Sequence, residues 1–87
     1  MQKLITATKK EFSVKWCAVS TFDNALRFEV VNSPIANILS VVMNSEETET
    51  LTYVFDEDET VFTGYTQFKG VEQMRGSVIV SLTGGTL

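Results

Sequence analysis

The sequence predicts a small α+β fold: a curved antiparallel sheet or small barrel of about six strands with one helix, in the order β-β-β-α-β-β-β. Three observations carry this expectation. Valine, threonine, isoleucine, phenylalanine, tyrosine and tryptophan supply 35 of the 87 residues while alanine occurs four times, the balance of a strand-rich chain. Apolar and polar residues alternate along several short segments, which is the period of a half-buried strand. A single stretch carries apolar residues at helical spacing instead. At this length one domain, 1–87, is expected, because two would each be too small to hold a core without staples.

Taken in order, Lys3 to Ala7 is a short β-favouring segment, and Thr8, Lys9 and Lys10 break it. Phe12, Val14, Trp16 and Ala18 then alternate with Glu11, Ser13, Lys15 and Cys17, which places Trp16 on the apolar face of a second strand with an indole N–H in need of a partner. Asp23-Asn24 is a turn signal, since both side chains can bond their own backbone. Leu26, Phe28 and Val30 alternate with Arg27, Glu29 and Val31 in a third strand. At Asn32-Ser33-Pro34 a helix is expected to begin, with Ser33 capping the free N–H groups and Pro34 at the first helical position. Ile35, Ile38, Leu39, Val42 and Met43 form its apolar stripe, broadened by Val41, over roughly 34–44, and Asn44 and Ser45 stop it. A helix this short must dock on the sheet to persist.

Glu46 to Thr50 reads as an acidic connection, Leu51–Phe55 as a fourth strand, and Asp56–Glu59 as a four-residue acidic turn. Val61 to Phe68 reads as a fifth strand with a bulge at Gly64. A hairpin turn over Gln73–Gly76 leads to a last strand, where Val78, Val80 and Leu82 alternate with Ser77, Ile79 and Ser81, and 83–87 is expected to be a frayed tail.

Composition narrows function chiefly by exclusion. There is no histidine and one cysteine, so a Ser-His-Asp triad, a Cys-His pair, a zinc finger and an internal disulfide are out of reach. Cys17 reads as a small core residue. The net charge of -4 argues against nucleic acid and anionic membranes, both of which call for a basic surface. No apolar run is long enough for a transmembrane helix, and no signal peptide is visible at the start. The acidic turn lacks the glycine and distal glutamate of a calcium loop, and adjacent carboxylates on a loop tip stay in water, where acid–base tuning fails. No catalytic residue, metal or cofactor is therefore expected.

Two features point instead to protein contacts. The charge is uneven: residues 1–15 carry a net +3, whereas residues 44–60 carry Glu46, Glu47, Glu49, Asp56, Glu57, Asp58 and Glu59 and no basic residue, a net -7. A head-to-tail contact between copies could join the two regions. The fifth strand also places Phe62 and Phe68 on one face and Tyr65 with Val61 on the other, and a strand apolar on both faces is buried on both, within the domain or against a neighbour.

The segment from Ala25 to Leu82 resembles small reading frames of tailed bacteriophages and prophages, often near tail and baseplate genes. The residues that carry the likeness are Leu26–Phe28, the helix Pro34–Met43, Tyr53–Phe55, Gly64–Thr66 and the closing hairpin Val71–Leu82. The resemblance has no catalytic signature. It implies a non-enzymatic structural or accessory protein acting through protein–protein assembly, as a homo-oligomer or virion component, in the cytoplasm of a bacterial host or assembled into a virion. The alternative is a small acidic inhibitor or regulator that binds a host protein. The interaction residues expected on either reading are Phe62, Tyr65, Phe68, Glu46, Glu47, Asp56, Glu57, Asp58 and Glu59.

Overall fold

The computed structural model describes residues 2–31 and 33–85. Seven strands and two helices follow one another: β1 Gln2–Ile5, β2 Glu11–Val19, β3 Leu26–Val31, α1 Ile35–Val42, α2 Ser45–Thr48, β4 Thr50–Phe55, β5 Asp58–Thr63, β6 Gln67–Met74 and β7 Ser77–Thr83. The strands form one antiparallel sheet in the order β5-β4-β1-β2-β3-β7-β6. The α+β class and the antiparallel pairing are as the sequence predicts. The counts and the element order are not: among the described residues there are seven strands rather than about six and two helices rather than one, in the order β-β-β-α-α-β-β-β-β, and of the two forms expected the sheet takes the open one, with β5 and β6 as its edges.

Two local departures explain the difference. The predicted fifth strand is two strands, because the chain turns at Gly64 (φ +86), a conformation that L side chains rarely adopt. The Gly64 N–H donates to Glu49 O at 2.9 Å, and the Thr66 N–H returns to Gly64 O at 2.8 Å, closing a three-residue turn around Tyr65. The predicted acidic turn is also shorter than expected. Phe55 pairs with Asp58, so only Asp56 and Glu57 form the loop, and Asp58 and Glu59 belong to β5.

The sheet bends sharply, and its topology shows why. Seven strands laid flat would place the outer two about 29 Å apart, yet the link from Thr63 to Gln67 can span only about 14 Å. The edges must therefore curl toward each other at one corner. A bulge in β2 makes the bend: β1 pairs with residues 11–13 and β3 with residues 14–19, with the register shifting between Val14 and Trp16. A strand that changes partners at a bulge forms such a corner. Phe12 and Val14 keep the inward side expected of them, and beyond the bulge the alternation is reversed. Val14 and Cys17 face the core, while Trp16 lies on the outer face opposite Glu29 and donates its indole N–H to Glu29 Oε1 at 2.8 Å.

One apolar cluster fills the concave side. Leu4, Val14, Cys17, Leu51 and Tyr65 meet Leu26, Phe28, Val30, Val78, Val80 and Leu82, and α1 adds Ile38 and Val42 from its stripe. The helix, Ile35–Val42, is shorter at both ends than the expected 34–44 and starts differently: Pro34 is its N-cap, in an extended conformation, and no side chain caps it. Ser33 therefore does not act as expected. The segment read as an acidic connection contains α2, whose N-cap Asn44 accepts the Glu46 N–H at 3.0 Å.

The chain end is not frayed over its described part. Thr83 completes β7, and Gly85 lies flat on the Tyr65 ring, where an added Cβ would come within 2.4 Å of ring carbons. Residues 86 and 87 of the expected tail lie outside the described residues.

Candidate interaction surfaces

The acidic stretch that looked like one feature in the sequence is two in space. Glu46, Glu47 and Glu49 precede β4, and Asp56–Glu59 follow it, so β4 holds the groups about 17 Å apart. They also differ in burial. Glu46 and Glu49 are exposed, but Glu47 is only 2% exposed. Its carboxylate accepts a hydrogen bond from the Thr8 hydroxyl and lies 2.7 Å from Lys10 Nζ, while its carbonyl accepts the Ala7 N–H at 3.0 Å. The Lys10 ammonium, then the Thr8 hydroxyl, hold the Glu47 carboxyl below the ordinary glutamate range. Glu47 thus clamps the β1–β2 loop to α2. Part of the charge complementarity expected between copies is met here within one chain. Lys3 and Lys15 likewise pair internally, with Glu11 at 2.7 Å and Glu29 at 3.9 Å.

At the far end of β4, Asp56, Glu57, Asp58 and Glu59 are all exposed, and Asp56 sits at φ +54 in the tight turn. These carboxylates lead directly into β5.

The three aromatic candidates do not form an outer surface. Tyr65 is fully buried; its ring meets Phe62 edge-on at 6.2 Å, and its hydroxyl donates to Asn24 Oδ1 at 3.2 Å. Phe62 and Phe68 are half-buried and pack against the core cluster. The turn at Gly64 has rotated all three inward, leaving Val61 as the large apolar side chain exposed on β5.

Sequence reasoning missed the most protruding aromatic residue. Phe22 is 97% exposed, at the tip of the β2–β3 loop. That loop is ordered from several sides. The Ser20 N–H bonds Ala25 O at 3.0 Å, the Asn24 N–H bonds Ser20 O at 2.8 Å, and the Phe22 N–H bonds Ser20 Oγ at 3.2 Å. Asn24, at φ +53, also donates through Nδ2 to Gly85 O at 2.8 Å. Asp23 receives Arg27 at 2.6 Å and Lys69 at 2.9 Å, and these two cations hold its carboxyl well below the usual range. An aromatic residue inside the turn-forming run Thr21-Phe22-Asp23-Asn24 was the available signal, since such a position has no core to enter.

Among the described residues, no group of three or more histidine, cysteine, aspartate or glutamate side chains is placed to hold a metal ion, and no helix is long and apolar enough to cross a membrane. Cys17 faces the core, where burial pushes its thiol up to about 12. That leaves almost no thiolate at neutral pH.

No protein-family model, no curated protein and no solved structure matches this chain.

Proposed function

We propose that the protein is non-enzymatic and works by assembling with other protein surfaces, as a small structural or accessory protein of the phage and prophage kind that its sequence resembles. The observation that carries the reading is the β2–β3 loop. Its backbone and polar side chains are tied into the fold from Ser20 to Lys69, and the ordered loop holds Phe22 out in water. An exposed aromatic ring contributes little to folding, and because the backbone that carries it is already ordered, only the side chain remains to be fixed on binding, which favours a role as a contact residue. The assembly includes copies of the same chain, and its setting is the cytoplasm of a bacterial host or the virion.

Sedimentation over a wide concentration range tests this. The expected result is a mean mass that rises with concentration and falls back in Phe22→Ala, with the melting temperature unchanged. A strictly monomeric protein over that range removes self-assembly from the reading.

A second reading, a small acidic regulator of a host protein, draws on the exposed Asp56–Glu59 run. Its charge-reversal test belongs at Glu46, Asp56 and Asp58; lysine at Glu47 would face Lys10 in a buried site and break the fold instead.

A further inference from the structure

We propose that β5 is a strand-accepting edge, on which an extended, positively charged segment of a partner protein pairs antiparallel with Asp58–Thr63. This rests on the interaction reading above and gives it a second surface and a partner chemistry.

The argument starts from the backbone. An edge strand turns every other residue's N–H and C=O away from the sheet. All six β5 residues pair with β4 without a register shift, so the outward groups keep the regular spacing that another strand needs. Five of the six residues are exposed, Phe62 being the exception, and among the described residues no strand lies on the outer side. The other edge differs. Pairing of β6 with β7 shifts between Phe68 and Gly70, and Lys69 at that bulge is tied to Asp23. A bulge with a charge is a usual way to block strand addition, and β5 has no such bulge.

The side chains select the occupant. Thr60-Val61-Phe62-Thr63 is uncharged and strongly β-favouring. Asp58 and Glu59 point to opposite faces of the strand, so two consecutive basic residues on an incoming strand would each meet one carboxylate across the new ladder. The neighbouring Asp56-Glu57 turn adds to the negative field. A second copy pairing antiparallel would set Asp58 and Glu59 opposite Thr63 and Phe62 and leave both carboxylate pairs without a basic partner, whereas a basic segment meets them directly. Running antiparallel, the segment reads three or four β-branched or aromatic residues and then two lysines or arginines.

The test titrates a blocked hexapeptide, Thr-Val-Thr-Val-Lys-Lys, onto the isotope-labelled full chain and follows backbone amide shifts and hydrogen exchange. Expected are shifts and slowed exchange confined to β5 and its turn. Binding should weaken roughly tenfold or more when the lysines become glutamates, and should vanish when the nitrogens on the bonding edge are methylated. Asp58→Lys with Glu59→Lys should reverse the preference toward the glutamate-ended peptide, at a melting temperature that shows the variant folds. The proposal is overturned by equal binding of the methylated peptide, by shifts on β6, by no binding at millimolar peptide, or by β5 exchange that slows with protein concentration alone, which would make a second copy the occupant. Each of these outcomes leaves the effect of Phe22→Ala on sedimentation intact, so failure here is separable from failure of the interaction reading.

Discussion

The two edges of the sheet, β5 and β6, are separated by three residues of chain and treat their open backbone differently. β6 interrupts its ladder at Lys69 and anchors that lysine to the β2–β3 loop. β5 keeps a regular ladder and carries charge only in its first third. Both strands are exposed over much of their length, so exposure alone does not distinguish them. Regularity does: an interrupted edge cannot template a neighbour, and a regular one can. One molecule thus contains a blocked edge and an available one, joined at a corner built from Gly64, Tyr65 and Gly85.

The strongest way to break the comparison is to remove that corner. Tyr65→Ala deletes a fully buried ring that meets Phe62 of β5 and sits in the turn leading into β6 and should cost about 3–5 kcal/mol. Chemical denaturation measures the loss, and exchange should quicken on β5 and β6 together. Gly85→Ala is next: its Cβ would press into the Tyr65 ring, with an expected cost of about 1–3 kcal/mol.

Asp23→Asn sharpens the comparison from one side, because it frees Lys69 and Arg27. Amide exchange should rise on β6 and stay unchanged on β5; equal changes on both edges would refute the tether. Acid gives a graded version of the same experiment. Arg27 and Lys69 depress the Asp23 carboxyl, and Lys10 and Thr8 depress that of Glu47. Each group binds its proton more tightly in the unfolded chain, so its stabilisation is complete above the ordinary carboxylate range and is lost as pH falls through the lowered folded value. An acid titration of stability should therefore decline most steeply below the ordinary range, and Glu47→Gln should flatten part of that slope. The smallest effect on stability is expected for Val61→Lys. It should leave stability within about 0.5 kcal/mol, yet it places a charge on the one large apolar side chain exposed on β5 and should abolish peptide addition.

The parts that were legible in the sequence are those with a single unbroken period. β3 and β7 alternate cleanly and pair in register from Leu26–Leu82 to Val31–Ser77, and α1 shows its stripe. The bulge in β2 was hidden because apolar residues occupy both phases around it: Phe12 and Val14 before, and Trp16 with Cys17 after. A one-residue slip therefore leaves no trace in the pattern. The break at Gly64 looked like a bulge because both sides of it favour strands. Nothing local marks α2, four residues without an apolar stripe. Nor could local reading bury Glu47, since its partners Thr8 and Lys10 lie 39 and 37 positions away. Of the candidate interaction residues, the chain reveals composition but not exposure: Tyr65 is interior, Phe62 and Phe68 pack on the core, and Glu47 is internally paired.

The slip in β2 equips the molecule with two built-in reporters. Trp16, the single tryptophan, looks outward and donates its indole N–H to the Glu29 carboxylate, while its immediate neighbour Cys17, the single thiol, looks inward. Indole emission follows the convex side of the sheet, and thiol alkylation follows the opening of its interior. If both traces change at the same denaturant concentration, the curled sheet melts as one unit; if emission moves first, the outer layer loosens before the interior does.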